Sequence, residues 1–385
     1  MFACLAGGYP REPLPAQPDH LGEAIRAVGA GELDESGWMA AADAFVQEIL
    51  DEQLAAGMGV LTDGGARWES PFDPVITGLR GLEAGSPTAL FGTGLRVPRP
   101  IVSGPIAWEG PIYRSAWISA AAGRSVPVKQ VIPGPYTLAK LSQPGAVRRE
   151  SVTLALAEAL NAELRDLVAA GCQLIQVDED ALVAIEADPT ERGLVREGHR
   201  RLLAGLEDPT LVHLSLAISG GDATAAGMST LFDAPWSSHL FDLVAGPANW
   251  QLVLQLPRGR GIVCGVGDAQ SAAIDDVEAI VYAIAWAARS TGDLARVGIA
   301  PSGSLRLLDR HAARRKIECL ALAIQVASMG PIEEVAESLE PHPRTTSRYP
   351  DLARSAEAYE AALAALGWSG NADPLRGPLS VNQGG

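Results

Sequence analysis

Short apolar runs alternate with long amphipathic stretches along most of the chain, and no other feature restricts the architecture as much. The runs are "FACLAG", "MGVLTDGG", "PVKQVIPGP", "CQLIQVDE", "LVHLSLA", "LFDLVAG", "GIVCGVGD" and "RVGIAPSG". Between the first two lies "GWMAAADAFVQEILDEQLAAG", where Ala44, Phe45, Ile49, Leu50 and Leu54 recur at helical intervals and Gly57 is placed to stop the helix. The same periodicity predicts helices over about 151–171, 190–206, 275–291 and 310–328. Eight strand candidates with mostly helical crossovers predict an α/β chain folded as a single (β/α)8 TIM barrel rather than an open doubly wound sheet. No GxGxxG opens a helix after the first strand, which removes the signature of a dinucleotide fold.

The barrel is expected over residues 1–335. Residues 66–126 are too long for one connection and read as an insertion after strand 2 that covers the barrel mouth, with a hairpin around "RPIVSGPIAWEGPIYRSAW". Residues 336–385 are expected to form a C-terminal helical extension, with a helix near 351–366 and "LRGPLSVNQGG" as a tail.

With 46 acidic against 30 basic residues the chain carries a formal charge of -16, which repels phosphate backbones and anionic lipid alike. No nucleic-acid partner and no membrane association are expected; the expected partner is a small-molecule substrate, with the chain a monomer or homodimer. The one basic cluster, Arg306, Arg310, Arg314, Arg315 and Lys316, has near-helical spacing and reads as a solvated helix face or as the rim of an anionic-substrate site. Cys4, Cys172, Cys264 and Cys319 show no CxxC spacing, which predicts free thiols and a cytoplasmic protein. The start "MFACLAGGYPREP" has no basic, then long apolar, leader pattern, so the chain is read as soluble and unprocessed.

Chemistry on a barrel is assembled where the strands end. That rule selects Gly7 and Gly8, Asp63, Asp178 with Glu179, His213 with Ser215, Asp268 and Ser302. His213 and Ser215 are two apart and share a strand face, which Leu214 and Leu216 make the interior one. His213 and Asp178, on neighbouring strands, are the expected catalytic pair. Asp178 or Glu179 is either an amine clamp or general base, or else a helix cap. Asp63 stands in "TDGG", also an ordinary turn sequence. Trp68 and Trp108, in the insertion, suit either packing or stacking on a flat substrate.

The ordered set "VLTDGG", "PVKQVIPGPYTLA", "LIQVDEDAL", "GVGDAQS" and "GIAPSGSL", with "GGYPREP" near the start, resembles the cobalamin-independent methionine synthase family, in particular its catalytic C-terminal barrel. The resemblance runs over about residues 4–330 and places the chain in the fold group that also holds uroporphyrinogen decarboxylases. It implies a barrel in which a zinc-bound thiolate takes a methyl group from a folate. The zinc would be held by a His-x-Cys pair on the fifth barrel strand, a Glu on the sixth and a Cys after the eighth. Aligned to that pattern, this chain has His213-Leu214-Ser215, Val244 and Ser302. A serine hydroxyl is a poor zinc ligand, so no family-type zinc and no other bound cofactor are expected. A rearranged set of His213, Asp242 and Cys264 is the alternative.

The resemblance also implies that Asp178 is the amine-binding acid and that Gly7 and Gly8 receive a carboxylate on their backbone. Gly65 replaces a Glu that would hold the amine, and Leu141 replaces a Trp that would stack on a folate-type donor. The expected function is methyl- or alkyl-group transfer to a small thiol or amine-bearing substrate without the zinc. Asp178 would bind or orient the substrate, and Ser215 and Ser302 would donate hydrogen bonds. Two alternatives stand beside it. One is a metal-independent lyase or decarboxylase whose anionic substrate meets Tyr9, Arg11, Tyr136 and Thr137; the other is a non-catalytic small-molecule-binding protein.

Overall fold

The structure is a computed structural model and describes residues 1–14, 18–143, 145, 147–339 and 350–365. Its nine strands are β1 Phe2–Ala3, β2 Leu79–Ala89, β3 Arg96–Trp108, β4 Gln130–Pro133, β5 Leu174–Asp178, β6 His213–Ile218, β7 Ser238–Asp242, β8 Gly261–Gly267 and β9 Val297–Pro301. Seven form one parallel sheet in the order β1-β9-β8-β7-β6-β5-β4. The sheet curls into a barrel, and parallel bridges from Cys4 to Val60 and from Leu61 to Val128 close the ring between β1 and β4. The eighth barrel strand, expected at 58–65, is thus reduced to a pair of bridging residues, and the (β/α)8 expectation holds.

Each strand of the parallel sheet buries both faces. On β5 and β6, Ile175, Val177, Leu214 and Leu216 pack outward under the helices. The alternate residues point inward, where Cys4, Ala6, Ala217, Leu240, Val263 and Ala300 form a separate small core. Side chains this small leave room for two polar groups on the barrel axis: Lys129, whose Nζ donates to Leu5 O (2.7 Å) and Gln176 Oε1 (2.6 Å), and Gln176 itself. Both are buried and well partnered, as buried polar groups must be.

The helices fall close to their sequence positions. Glu35–Ala56 starts where Asp34 accepts from Gly37 N (2.9 Å) and stops at Gly57, whose φ of 93° only glycine adopts readily. Arg149–Ala169, Pro189–Leu202, Val277–Thr291 and Arg310–Ala327 fill the other four predicted places. Two corrections concern the periphery. The insertion's hairpin is the antiparallel pair of β2 with β3, spanning 79–108, not a hairpin around 99–117, where only the second strand lies. Beyond the barrel, Ile332–Ser338 is a helix that the sequence reading missed, while Pro350–Ala365 matches the expected one. The tail at 375–385 lies outside the described residues.

The basic cluster is a solvated face only in part: Arg314 is exposed and pairs with Glu318, whereas two of its neighbours are buried. Arg310 is buried against Glu48 and Glu52, and Lys316 is buried on Asp275 at 3.1 Å. No single helix among the described residues is long and apolar enough to cross a membrane.

Candidate active site

A cavity lies at the C-terminal mouth of the barrel, and every side of it belongs to a segment that follows a strand. Gly7 and Gly8 come after β1, Asp63–Gly65 after the bridging pair, Thr137 after β4, Asp178 and Asp180 after β5, Ser219 after β6, and Ser304 with Arg306 after β9. The insertion roofs it, as the sequence predicted, through Trp68, Phe72, Leu90, Thr93, Leu95 and Tyr113. At Gly8 a Cβ would lie 2.5 Å from Ser304 Oγ, so the two loops approach this closely only because residue 8 has no side chain.

Three carboxylates share this enclosed space. Asp178 Oδ1 accepts from Gln176 Nε2 (2.7 Å), and its Oδ2 lies beside Gly7. Burial pushes Asp178 up to about 7, opposed by the Gln176 hydrogen bond and the charge of Lys129. Asp180, whose Oδ1 accepts from Ser219 N (2.9 Å), is raised well above the usual carboxylate range by burial and then by the charge of Asp178. Asp63 Oδ1 accepts from Gly65 N (2.9 Å), but its buried Oδ2 has no partner among the described residues. Burial raises Asp63 as well, against the Gly65 N–H and the charges of Arg67 and Arg306. The one guanidinium in the wall, Arg306, is spent on the carbonyls of Gly65, Trp68 and Glu69 at 2.7–3.0 Å. Burial, and next the charge of Arg11, lowers it to about 10.

Such a site is short of cations. Crowded carboxylates raise one another's pKa until a positive ligand relieves them. A carboxyl near 7 is also placed to take a proton at neutral pH.

Several expected site residues lie elsewhere. His213 opens β6, roughly 16 Å along the strand from the mouth end at a rise of about 3.3 Å per residue. Its side chain points into the barrel as predicted, but at the opposite end, where Nε2 meets Ser238 Oγ at 2.8 Å. Burial and then Lys129 lower its pKa. It cannot act with Asp178. Ser215 sits on the same inward face, in register with Gln176 and Ser238, and does not line the cavity.

Glu179 is fully buried and caps the helix Pro135–Leu141, accepting from Tyr136 N (3.0 Å), Thr137 N (2.7 Å) and Thr137 Oγ1 (2.7 Å). The cap reading therefore holds for Glu179, while its neighbour enters the site. Tyr136 turns away and donates to Glu191 (2.7 Å), Arg11 Nε holds Ala66 O (3.1 Å), and Tyr9 donates to Glu52 (3.2 Å). Of the groups that the lyase reading places around an anionic substrate, Thr137 lines the cavity, whereas Tyr9, Arg11 and Tyr136 do not. Asp268 caps its own turn at Gln270 N, and Ser302 Oγ accepts from Ala269 N (3.1 Å); neither lines the cavity. Trp108 is held by Glu163 (2.7 Å) outside the cavity, whereas Trp68 is in its wall. Gly7, Gly8, Asp63 and Asp178 are the expected residues that the fold does bring together.

Asp180 and Tyr113 were missed, while Thr137 and Arg306 were singled out only for the lyase pocket and as part of the basic cluster. Only Asp180 had a signal, because it stands two residues after Asp178, the period of a strand face.

The strand ends from which the resemblance draws zinc ligands carry no imidazole or thiol. Asp242, at the end of β7, gives its oxygens to the N–H groups of Val244, Ala245 and Gly220 at 2.8–3.0 Å. Cys264 faces outward into the helix layer, so the rearranged set of His213, Asp242 and Cys264 does not converge. Among the described residues no group of three or more His, Cys, Asp or Glu is arranged to hold a metal ion. The residues present do not fit the family's zinc.

Fold and cavity together define a (β/α)8 barrel protein with an acidic cavity at its mouth. The chain matches two domain models of the cobalamin-independent methionine synthase family, which together span residues 7–291. The model of the family's catalytic domain matches residues 7–194, and that of its N-terminal domain matches 115–291. Methionine synthase from Sulfurisphaera tokodaii is 30% identical over 178 residues, 46% of this chain and 51% of the relative. That from Saccharolobus solfataricus is also 30% identical, over 46% of this chain and 52% of the relative. The chain thus spans about half the length of the curated relatives it matches. A B12-independent methionine synthase from Shewanella sp. W3-18-1, solved in complex with selenomethionine, shares the fold, with a TM-score of 0.70 at 18% identity over 84% of this chain and 97% of the other.

Proposed function

We propose that the chain is a methyl- or other alkyl-group transferase whose acceptor is a small molecule bearing a primary ammonium, and that it works without zinc. The observation that carries this reading is the convergence of Asp63, Asp178 and Asp180 on one cavity whose lining holds a single cationic side chain, Arg306, against the three of them. The negative field selects a cationic ligand, and the match to the family models supplies the reaction type. Asp178 and Asp63 hold the ammonium, and Asp180, raised by burial and then by the charge of Asp178, is the base. The acceptor's proton passes to it, the new bond to the alkyl carbon forms, and the bond from that carbon to the donor breaks with its electron pair leaving on the donor. The roof of hydrophobic side chains excludes water from the cavity. A folate-type donor is the family's; Leu141, half-buried at the end of its helix, offers no ring for it.

The absence of any His or Cys side chain from the cavity lining favours one second reading, a barrel that binds the amine ligand without turning it over. Three measurements on purified protein test both. Metal analysis should give well below one zinc per chain. Calorimetry should show L-homocysteine binding more tightly than its des-amino analogue 4-mercaptobutanoate. An assay with a methyl-folate donor then separates transfer from binding alone. Near-stoichiometric zinc, or equal affinity for the two thiols, would overturn the proposal.

A further inference from the structure

We infer that Tyr113, carried to the mouth by the insertion, contacts the substrate directly and shares with Asp63 and Asp178 the three N–H bonds of its primary ammonium. The inference rests on the reading of the cavity as an amine site and names the group that completes it. Tyr113 is 1% exposed and lines the cavity, yet its hydroxyl has no hydrogen-bond partner among the described residues. A buried hydroxyl without a partner is costly, so its retention points to a ligand that satisfies it.

The charges that face the phenol are Glu163, Asp63, Asp178 and Asp73. Two of the four, Glu163 and Asp73, do not line the cavity. Glu163 accepts from Trp108 Nε1 (2.7 Å), Ile112 N (2.9 Å) and Tyr113 N (2.8 Å), and Asp73 accepts from Ser70 N (2.7 Å). The other two each keep an oxygen for a ligand: Asp63 Oδ2, buried and unpartnered, and Asp178 Oδ2 beside Gly7.

The ring is held for this task before any ligand arrives. Glu163 clamps the backbone on its N-terminal side, and Trp68 packs edge-on to the ring at 5.4 Å with planes 78° apart. An ammonium has three donors and no acceptor, and Asp63, Asp178 and Tyr113 offer it three acceptors: two carboxylate oxygens and the phenol oxygen. A ligand without the amine would leave all three unpaired.

The test is calorimetric titration and thermal melting of the full chain and its Tyr113→Phe variant, with L-homocysteine, L-methionine and 4-mercaptobutanoate as probes. The expected result is about tenfold weaker binding of the two amino acids to Tyr113→Phe, as for loss of one hydrogen bond to a charged group. Binding of 4-mercaptobutanoate should be unchanged and Tm equal or higher, because the deleted hydroxyl has no protein partner. Equal affinity of wild type and variant for the amino acids would overturn the role of Tyr113 while the amine site stands. A weaker grip on all three probes alike would overturn the contact to the ammonium, and a lowered Tm would reveal a structural hydroxyl instead. If neither amino acid binds the wild type, the amine site itself fails, and this inference with it.

Discussion

Asp178 and Glu179 are adjacent acids with opposite roles, and the pleat of β5 separates them. Asp178 follows the inward face of Gln176, while Glu179 points out to the N-terminus of the helix Pro135–Leu141, which follows β4. Replacing Glu179 by Ala strands two helix N–H groups in a fully buried place and should cost about 2–4 kcal/mol, read as a lower midpoint in urea. Asp178 carries a pH dependence. Its folded value near 7 exceeds the roughly 3.9 of an unfolded chain, so the native state holds more protons between these values. Stability therefore falls as pH rises through that window. Asp178→Asn should melt above wild type at pH 8 and converge with it near pH 4. A smaller slope should remain in the variant, since Asp63 and Asp180 are raised too. Affinity for an ammonium ligand should increase as pH rises through 7 in wild type and much less in the variant, which calorimetry at pH 6 and 8 decides.

At the scale of elements, the hairpin that roofs the cavity was the hardest part to read. "LRGLEAGSPTA" is broken by two glycines and a proline and alternates poorly, yet it pairs with β3 through two register shifts. An edge ribbon laid over a barrel needs little apolar periodicity of its own, so the sequence carried little signal. The hairpin is fastened at its turn, where Gln270 Nε2 donates to Gly92 O (2.7 Å) and the backbones of Gly92 and Gly220 touch. A methyl group at residue 92 runs into the Gly220 carbonyl. Gly92→Ala should therefore lift the roof, with ligand affinity down several-fold and a stability loss of about 1–3 kcal/mol. Faster limited proteolysis near residues 85–95 would show the roof opening; an unchanged cleavage rate would argue against it.

Across the whole molecule, the helix Pro350–Ala365 is tied to the barrel's outer layer by one aromatic cluster. Tyr359 stacks on Trp286 at 4.8 Å and meets Trp250 edge-on at 5.5 Å. Tyr359→Ala should cost about 3 kcal/mol in a melting or urea experiment and leave ligand binding at the mouth unchanged. The sequence by itself determined the barrel, the places of its five long helices, and the inward face of His213 and Ser215. Each follows from local hydrophobic periods that a chain cannot hide. Only the tertiary structure decided how far along the barrel axis each inward residue sits: His213 begins its strand and Asp178 ends its own, and alternation alone does not distinguish one end from the other. It also decided which polar groups meet, because Tyr113, Arg306 and Asp63 come from three separate loops whose convergence depends on how the closed ring turns its strand ends toward one another.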